Sequence, residues 1–401
     1  LKLFLAKPGA VQSSMVRAVH NCIAIAATCA ASVAVMNTGI LAWQHVRKSR
    51  HVALRTYTLR ILLMVPVYAI SSSVALLSPT DAFAAEALEV FRRLYESVVI
   101  FSFLQFILVC VGGPEALLSE NRQSEEETAA RDLELLSIEG RPSESQRSVT
   151  PKLRHVPGFN RLLPAWRSRR QMLRCCVTGA LVYPFLGVLT GLVLLFVYVF
   201  KWVRVQPPFA ASVALDICRY IFTTASGVAV FFLAELAVNM YQELKYLRPH
   251  AKFLSVKFVV FATFWQALLL QGLGSAGLLH GLFSDDPPWK TEEGVVHSLQ
   301  NLCVCFEMLL ASSWHYCVFP PQDSLTVLAK LAVAGHDLTP SQAENVHKFD
   351  VVNFGDIMST AVLVNRLTMR RSSSTLSERP QEGLSEGENQ TDATQNRAED
   401  A

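Results

Sequence analysis

Apolar residues along this chain fall into long blocks divided by charged segments, and no two-residue alternation of the kind a barrel strand would show competes with that pattern. A block of about 20 apolar residues crosses a bilayer as a helix. Seven blocks meet this description, at 20–43, 59–77, 95–111, 175–200, 217–240, 256–283 and 295–319. The third is the shortest and begins beside charged residues. The pattern predicts an all-α, polytopic membrane protein with seven transmembrane helices.

The segments between the blocks set the expected orientation. Arg47, Lys48, Arg50, Arg55 and Arg60 follow the first block. Arg161, Arg167, Arg169, Arg170 and Arg174 precede the fourth. Lys245, Arg248, Lys252 and Lys257 follow the fifth. The alternate connections are poorer in bases: Asp81, Glu86 and Glu89 offset Arg92 and Arg93, Lys201 and Arg204 stand in the next, and four acids outnumber Lys290 in the last. Basic loops stay cytoplasmic, so the N-terminus is expected outside and the C-terminus inside. This divides the chain into an outer segment (1–19), a seven-helix domain (20–320) with a cytoplasmic loop at 114–174, a membrane-proximal region (321–371) and a tail (372–401). The chain begins at Leu1 rather than methionine, and a stretch before it is expected.

Composition agrees. Hydrophobic residues make up 51% of the 401 and charged residues 17%, against about 25% charged in soluble domains. The net charge of +3 is small and its bases sit at block ends, so no nucleic-acid surface is expected. Within the long loop, 119–146 is acidic and polar and is expected to be disordered. The stretch 151–174 mixes bases with Leu153, Val156, Phe159 and Trp166, which suits either a segment lying on the anionic inner leaflet or a basic stop before the fourth helix. Residues 372–401 are polar and acidic. Arg370 and Arg371 before Ser372 resemble a basophilic kinase site, and Asn389 begins a glycosylation sequon that the expected orientation puts in the cytoplasm.

Ionisable residues at membrane depth cost roughly 2.5–3.5 kcal/mol on insertion scales and so invite a functional explanation. Glu307 sits midway along the seventh block with His315 eight residues on, rotated by about 80°; Glu307 fits a solute or ion pathway, or a buried structural pair. Trp265 and Gln266 suit an amphipathic ligand, or interhelical contacts. Glu96 lies at the outer end of the third block, in the headgroup zone or on a path, with Gln105 further in. Glu235 can snorkel or pair with a base such as Lys245. Pro66 and Pro184 are expected to kink their helices. The nine cysteines form no CxxC pair. Cys110, Cys175, Cys176 and Cys317 fall at cytoplasmic helix ends and are candidates for S-palmitoylation. There is no Walker loop, HExxH or GxSxG and no intramembrane Asp pair, so no enzyme activity, cofactor or metal site is expected.

Four stretches, RTYTLRILLMVPVYAISS (55–72), YESVVIFSFLQFILVCVGG (95–113), ELKYLRPHAKFLSVKFVVFATFWQ (243–266) and NLCVCFEMLLASSWHYCVFP (301–320), resemble the organic solute transporter alpha family, which includes the transmembrane protein 184 group. DVVNFGDIM (350–358) resembles the segment that follows the membrane domain in the latter branch. The resemblance implies a seven-helix facilitative carrier of amphipathic organic anions, such as bile acids and steroid conjugates, acting with a small single-pass beta-type subunit or as a homodimer among membrane lipids. It carries over onto Glu96, Gln105, Trp265, Gln266, Glu307 and His315 as positions on a substrate path. The alternatives are a trafficking or signalling scaffold and a seven-helix receptor; the latter lacks an NPxxY at the end of helix seven.

Overall fold

The computed structural model of the protein describes residues 8–78, 82–113, 168–202, 209–278 and 292–333, together with His155, Pro164 and Trp166. The acidic insert, most of the membrane-proximal region, the kinase-like serines, the sequon and the tail lie outside the described residues. Among the described residues the structure is helical: α1 (Pro8–Lys48), α2 (Val52–Leu62), α3 (Met64–Leu77), α4 (Ala82–Cys110), α5 (Arg169–Trp202), α6 (Phe209–Asn239), α7 (Pro249–Ser275), α8 (Glu292–Val318) and α9 (Asp323–Val333). A helical turn (Tyr241–Leu244) and a 3-10 turn (Lys245–Leu247) lead from α6 to α7. Six spans among them are long and apolar enough to cross a membrane, α2 and α3 together forming one.

The helices pack as two groups. In the first, α1 lies against α8 and α3, and α8 also carries α7. The buried face of α1 is a stripe of Ala24, Ala27, Ala31, Ala34, Thr38, Leu41 and His45. That spacing of three and four keeps one helical face small, and small residues let helices approach closely where lipid offers no hydrophobic drive. Tyr316 donates to the Asn37 carbonyl at 3.0 Å across this contact. In the second group α5 lies along both α4 and α6. Here glycines provide the fit. A Cβ on Gly187 would stand 3.2 Å from Ser97 Oγ, and one on Gly191 would stand 2.9 Å from Leu94.

The second span joins the groups and is interrupted at Leu63. Pro66 lies three residues later. It has no N–H for the Leu62 carbonyl and its ring crowds that position, so the expected kink takes the form of a break. Pro184 leaves α5 continuous. α4 is far longer than the expected third block, with 29 residues, because the charges read as a flanking loop belong to the helix. Glu89 and Arg93, four residues apart, pair along its surface.

α2 begins with a cap made by a histidine. The Leu54 N–H donates to His51 Nδ1 at 3.2 Å. An acceptor nitrogen must be unprotonated, and burial pushes the His51 pKa below its ordinary value. The neutral form is therefore favoured in the folded chain, and its stabilisation is complete above the unfolded pKa and lost as pH falls through the lower folded one. His51→Ala is expected to cost about 0.5–2 kcal/mol. His51→Asn is expected to keep the cap and to flatten the loss of thermal stability below about pH 6.5, as melting temperatures at stepped pH would show.

Candidate functional site

The described polar side chains collect at three levels. The first lies on four helices. Glu96 of α4 is about 21 Å along the axis from Cys110. Ser226 of α6 donates to its Oε1 at 3.3 Å. Tyr68 of α3 faces the same carboxylate. The buried Tyr183 hydroxyl of α5 lies beside it and Ser226 without a well-formed hydrogen bond of its own. One turn before Glu96, the half-buried Arg92 donates to Ser72 of α3 at 3.2 Å. A cation, a carboxylate, two phenols and two serine hydroxyls thus meet between α3, α4, α5 and α6. Glu96 is buried within the bundle.

The second level is the inner part of α6. Glu235 is fully buried and meets His155 Nδ1 at 3.2 Å, and Trp166 Nε1 donates to its other oxygen at 3.4 Å. The His155 and Trp166 rings lie against each other with centroids 5.0 Å apart and planes tilted by 43°. The partners of Glu235 here are His155 and Trp166 of the long loop. Nearby, Arg169 pairs with Glu243.

The third level ties the start of α7, the end of α8 and the start of α9. Lys252, one turn into α7, is buried and donates to the Leu247 carbonyl at 2.9 Å, the Val318 carbonyl at 2.6 Å and Asp323 Oδ2 at 2.7 Å. An ammonium has three N–H donors and all are used. The Val318 carbonyl is one that α8 cannot satisfy itself, and a cation there also meets the negative end of the helix dipole. His45 of α1 approaches the neighbouring Phe319 carbonyl at 2.9 Å. α9 lays Ser324, Val327 and Leu331 against this end.

The remaining expected positions do not converge with these. Trp265 is half exposed on the outer face of α7. Gln266 reaches the Gln300 carbonyl at 3.4 Å, and Cys303 and Glu307 share that α7–α8 interface. One Glu307 oxygen is buried without a hydrogen-bond partner, as are both ring nitrogens of His315. Gln105 is buried in α4. Of the lipidation candidates, Cys110 and Cys176 are buried, Cys175 is half-buried and Cys317 is exposed. No cluster of His, Cys, Asp or Glu among the described residues has the arrangement of a metal site. Arg92, His155, Lys252 and Asp323 carry the polar sites as much as the expected residues do. Of these, only Arg92 gave a sequence signal, a base within helical reach of Glu96.

Six apolar spans and buried ionisable residues between them define a multi-pass integral membrane protein of the plasma membrane or an endomembrane. The model of the organic solute transporter Ostalpha family matches residues 22–324, and the chain belongs to that family. It is similar to Protein LAZ1 of Arabidopsis thaliana, 26% identical over 285 residues, which cover 70% of this chain and 54% of that one. It is also similar to Protein LAZ1 homolog 1 of the same plant, at 25% over 288 residues, covering 72% and 55%. A vacuole membrane protein of Schizosaccharomyces pombe is 25% identical over 294 residues, covering 70% and 57%. The chain spans about half the length of these relatives. No solved structure matches it.

Proposed function

We propose that this protein is a facilitative carrier of amphipathic organic anions, of the bile-acid or steroid-conjugate kind, and not an enzyme. The observation that carries this is the Arg92–Glu96–Tyr68–Tyr183 cluster. It places one half-buried cation, one carboxylate and two aromatic hydroxyls in a single site shared by four helices. A sulfate or carboxylate suits the guanidinium, which donates in a fork, and a rigid apolar skeleton suits the phenol rings. Glu235 lies nearer the basic end of the adjoining α6, so polar groups occur at two depths on this side of the bundle, as passage through it requires.

The membrane arrangement we infer has seven spans, with α7 as the one beyond the six. Its 27 residues extend for about 40 Å, longer than the roughly 30 Å hydrocarbon core. The basic ends of α1, α5, α7 and α8 face the cytoplasm, and a glycan on Asn389 would reverse that orientation. Residues 20–320 form the carrier, and a single-pass partner or a second copy is an expected companion.

Uptake of a labelled steroid sulfate into proteoliposomes tests the reading, with and without candidate single-pass partners. Saturable uptake is expected, and Arg92→Gln is expected to raise the half-saturating concentration about tenfold to a hundredfold, the worth of a hydrogen bond to a charged group. The comparison uses variants whose melting matches the wild type. No uptake above empty vesicles under any of these conditions would favour a trafficking or signalling scaffold, for which the acidic insert at 119–146 and the serine-rich tail speak.

A further inference from the structure

α1 presents two faces. One is the buried stripe that ends at His45, whose ring meets the Phe319 carbonyl at 2.9 Å and fixes the end of the helix in the bundle. The other face is exposed at Met36, Ile40 and Trp43. Intervals of four and three residues place these side chains on one line along the helix. Arg47 comes four residues later on the same line. Its guanidinium carbon lies 4.7 Å from the centre of the Trp43 ring. From Met36 to Arg47 the line extends for about 16 Å.

Lys48 and Arg50 follow Arg47 within three residues, and all three are exposed. Among the described residues none of them meets a carboxylate. The chain has no aspartate or glutamate before Asp81. Two acids on other elements at this end of the bundle are engaged elsewhere, Asp323 by Lys252 and Glu243 by Arg169. Three like charges therefore stand close together without a counter-charge from the protein. Stacking on an indole occupies the face of the Arg47 guanidinium and leaves its N–H edge for an acceptor.

We propose that this end of α1 is a binding site for an anionic glycerophospholipid. The phosphate and its charged headgroup rest on Arg47, Lys48 and Arg50. One acyl chain lies along Trp43, Ile40 and Met36. An indole favours the boundary between headgroups and hydrocarbon, so Trp43 marks the level at which phosphate and chain divide. The occupant must carry charge at one end and hydrocarbon over the remaining length. A phospholipid has its groups in that order, and an anionic one answers the unmatched bases. The site lies on the outer surface of the bundle and does not rest on the carrier reading.

The test is native mass spectrometry of the full chain released from nanodiscs. These hold phosphatidylserine and phosphatidylcholine of matched chains in equal amounts. Both leaflets share that composition, so the result does not depend on which way the protein faces. The wild type is expected to retain phosphatidylserine in preference to phosphatidylcholine. One base near an anionic surface strengthens binding about fivefold. Replacing all three, in Arg47→Gln/Lys48→Gln/Arg50→Gln, is therefore expected to weaken phosphatidylserine retention about a hundredfold. Should that variant melt below the wild type in phosphatidylcholine alone, Arg47→Gln by itself is expected to lose about fivefold. Trp43→Leu keeps the apolar line but frees the guanidinium, and is expected to lose about twofold to fivefold. Lys245→Gln/Arg248→Gln removes two other exposed bases of the same end and is expected to leave the preference unchanged. Equal retention of both lipids by the wild type, as the acidic insert at 119–146 seated on the bases would give, would overturn the proposal. So would an unchanged preference in the Arg47 variants, or an equal loss in Lys245→Gln/Arg248→Gln. No solute is present, so a failure of the carrier reading would leave this result standing.

Discussion

Replacing Lys252 with methionine is expected to destabilise the folded protein by about 3–5 kcal/mol, the range for removing one partner of a buried ion pair. The lower part of that range applies, because the Asp323 side chain keeps 22% of its surface exposed and recovers some hydration. Methionine preserves the volume of the side chain, so the loss is one of hydrogen bonding and charge. Two backbone carbonyls, those of Leu247 and Val318, and the Asp323 carboxylate lose their donor together. Arginine is not expected to rescue: a flat guanidinium presents its donors in one plane, whereas these acceptors come from a preceding turn, a helix end and a following helix. Asp323→Asn is expected to cost about 1 kcal/mol, since Lys252 retains both carbonyls. Thermal unfolding of the detergent-solubilised protein, followed by tryptophan fluorescence, orders the variants. Equal melting of Lys252→Met and wild type would show that the clasp adds nothing to stability.

Gly179→Ala is expected to be the next most damaging change, at about 1–3 kcal/mol. The added methyl would stand 2.0 Å from the Phe232 ring, with two more ring atoms within 2.7 Å. A ring cannot yield at its tip as a long flexible chain does, so α5 and α6 must separate or the phenylalanine must leave its place. Gly227, also within α6, has nothing within 4 Å of its Cβ position, and Gly227→Ala is expected to be neutral or slightly stabilising. Phe232→Leu should recover part of the loss in Gly179→Ala, and a double-mutant cycle would measure that recovery. Additive penalties would place the cost of Gly179→Ala elsewhere.

Much of the bundle was legible because a bilayer imposes a simple rule, about 20 apolar residues per crossing. The rule placed the first, fourth, fifth and seventh blocks on α1, α5, α6 and α8, although α1 begins twelve residues before its block and α6 eight. It shortened α4, where Glu89, Arg92 and Arg93 break the hydropathy but are accommodated by pairing along the helix and by Ser72. Glu96 and Glu235 stood out as acids at depth, yet their partners did not. Tyr68, Tyr183 and Ser226 come from three other helices, and no spacing in the sequence brings them together. His155 is a single histidine in a long polar loop and carries no local pattern at all. Lys252 read as one more base at a cytoplasmic helix end. Its burial depends on Asp323, 71 residues away, reaching the same point, which is a property of the packed bundle and not of either segment.

The break at Leu63 divides one membrane crossing between two owners. α2 leans mainly on α4, whereas α3 leans mainly on α8 and α1. The crossing cannot travel as a rigid rod with either neighbour. α3 touches α4 as well, yet the one interruption of the span is the junction of Leu63 and Met64. Pro66 has already removed a hydrogen bond there, so bending costs least at that point. The second span is in this sense a hinge pin, and its proline sets the height in the bilayer at which the two halves can turn.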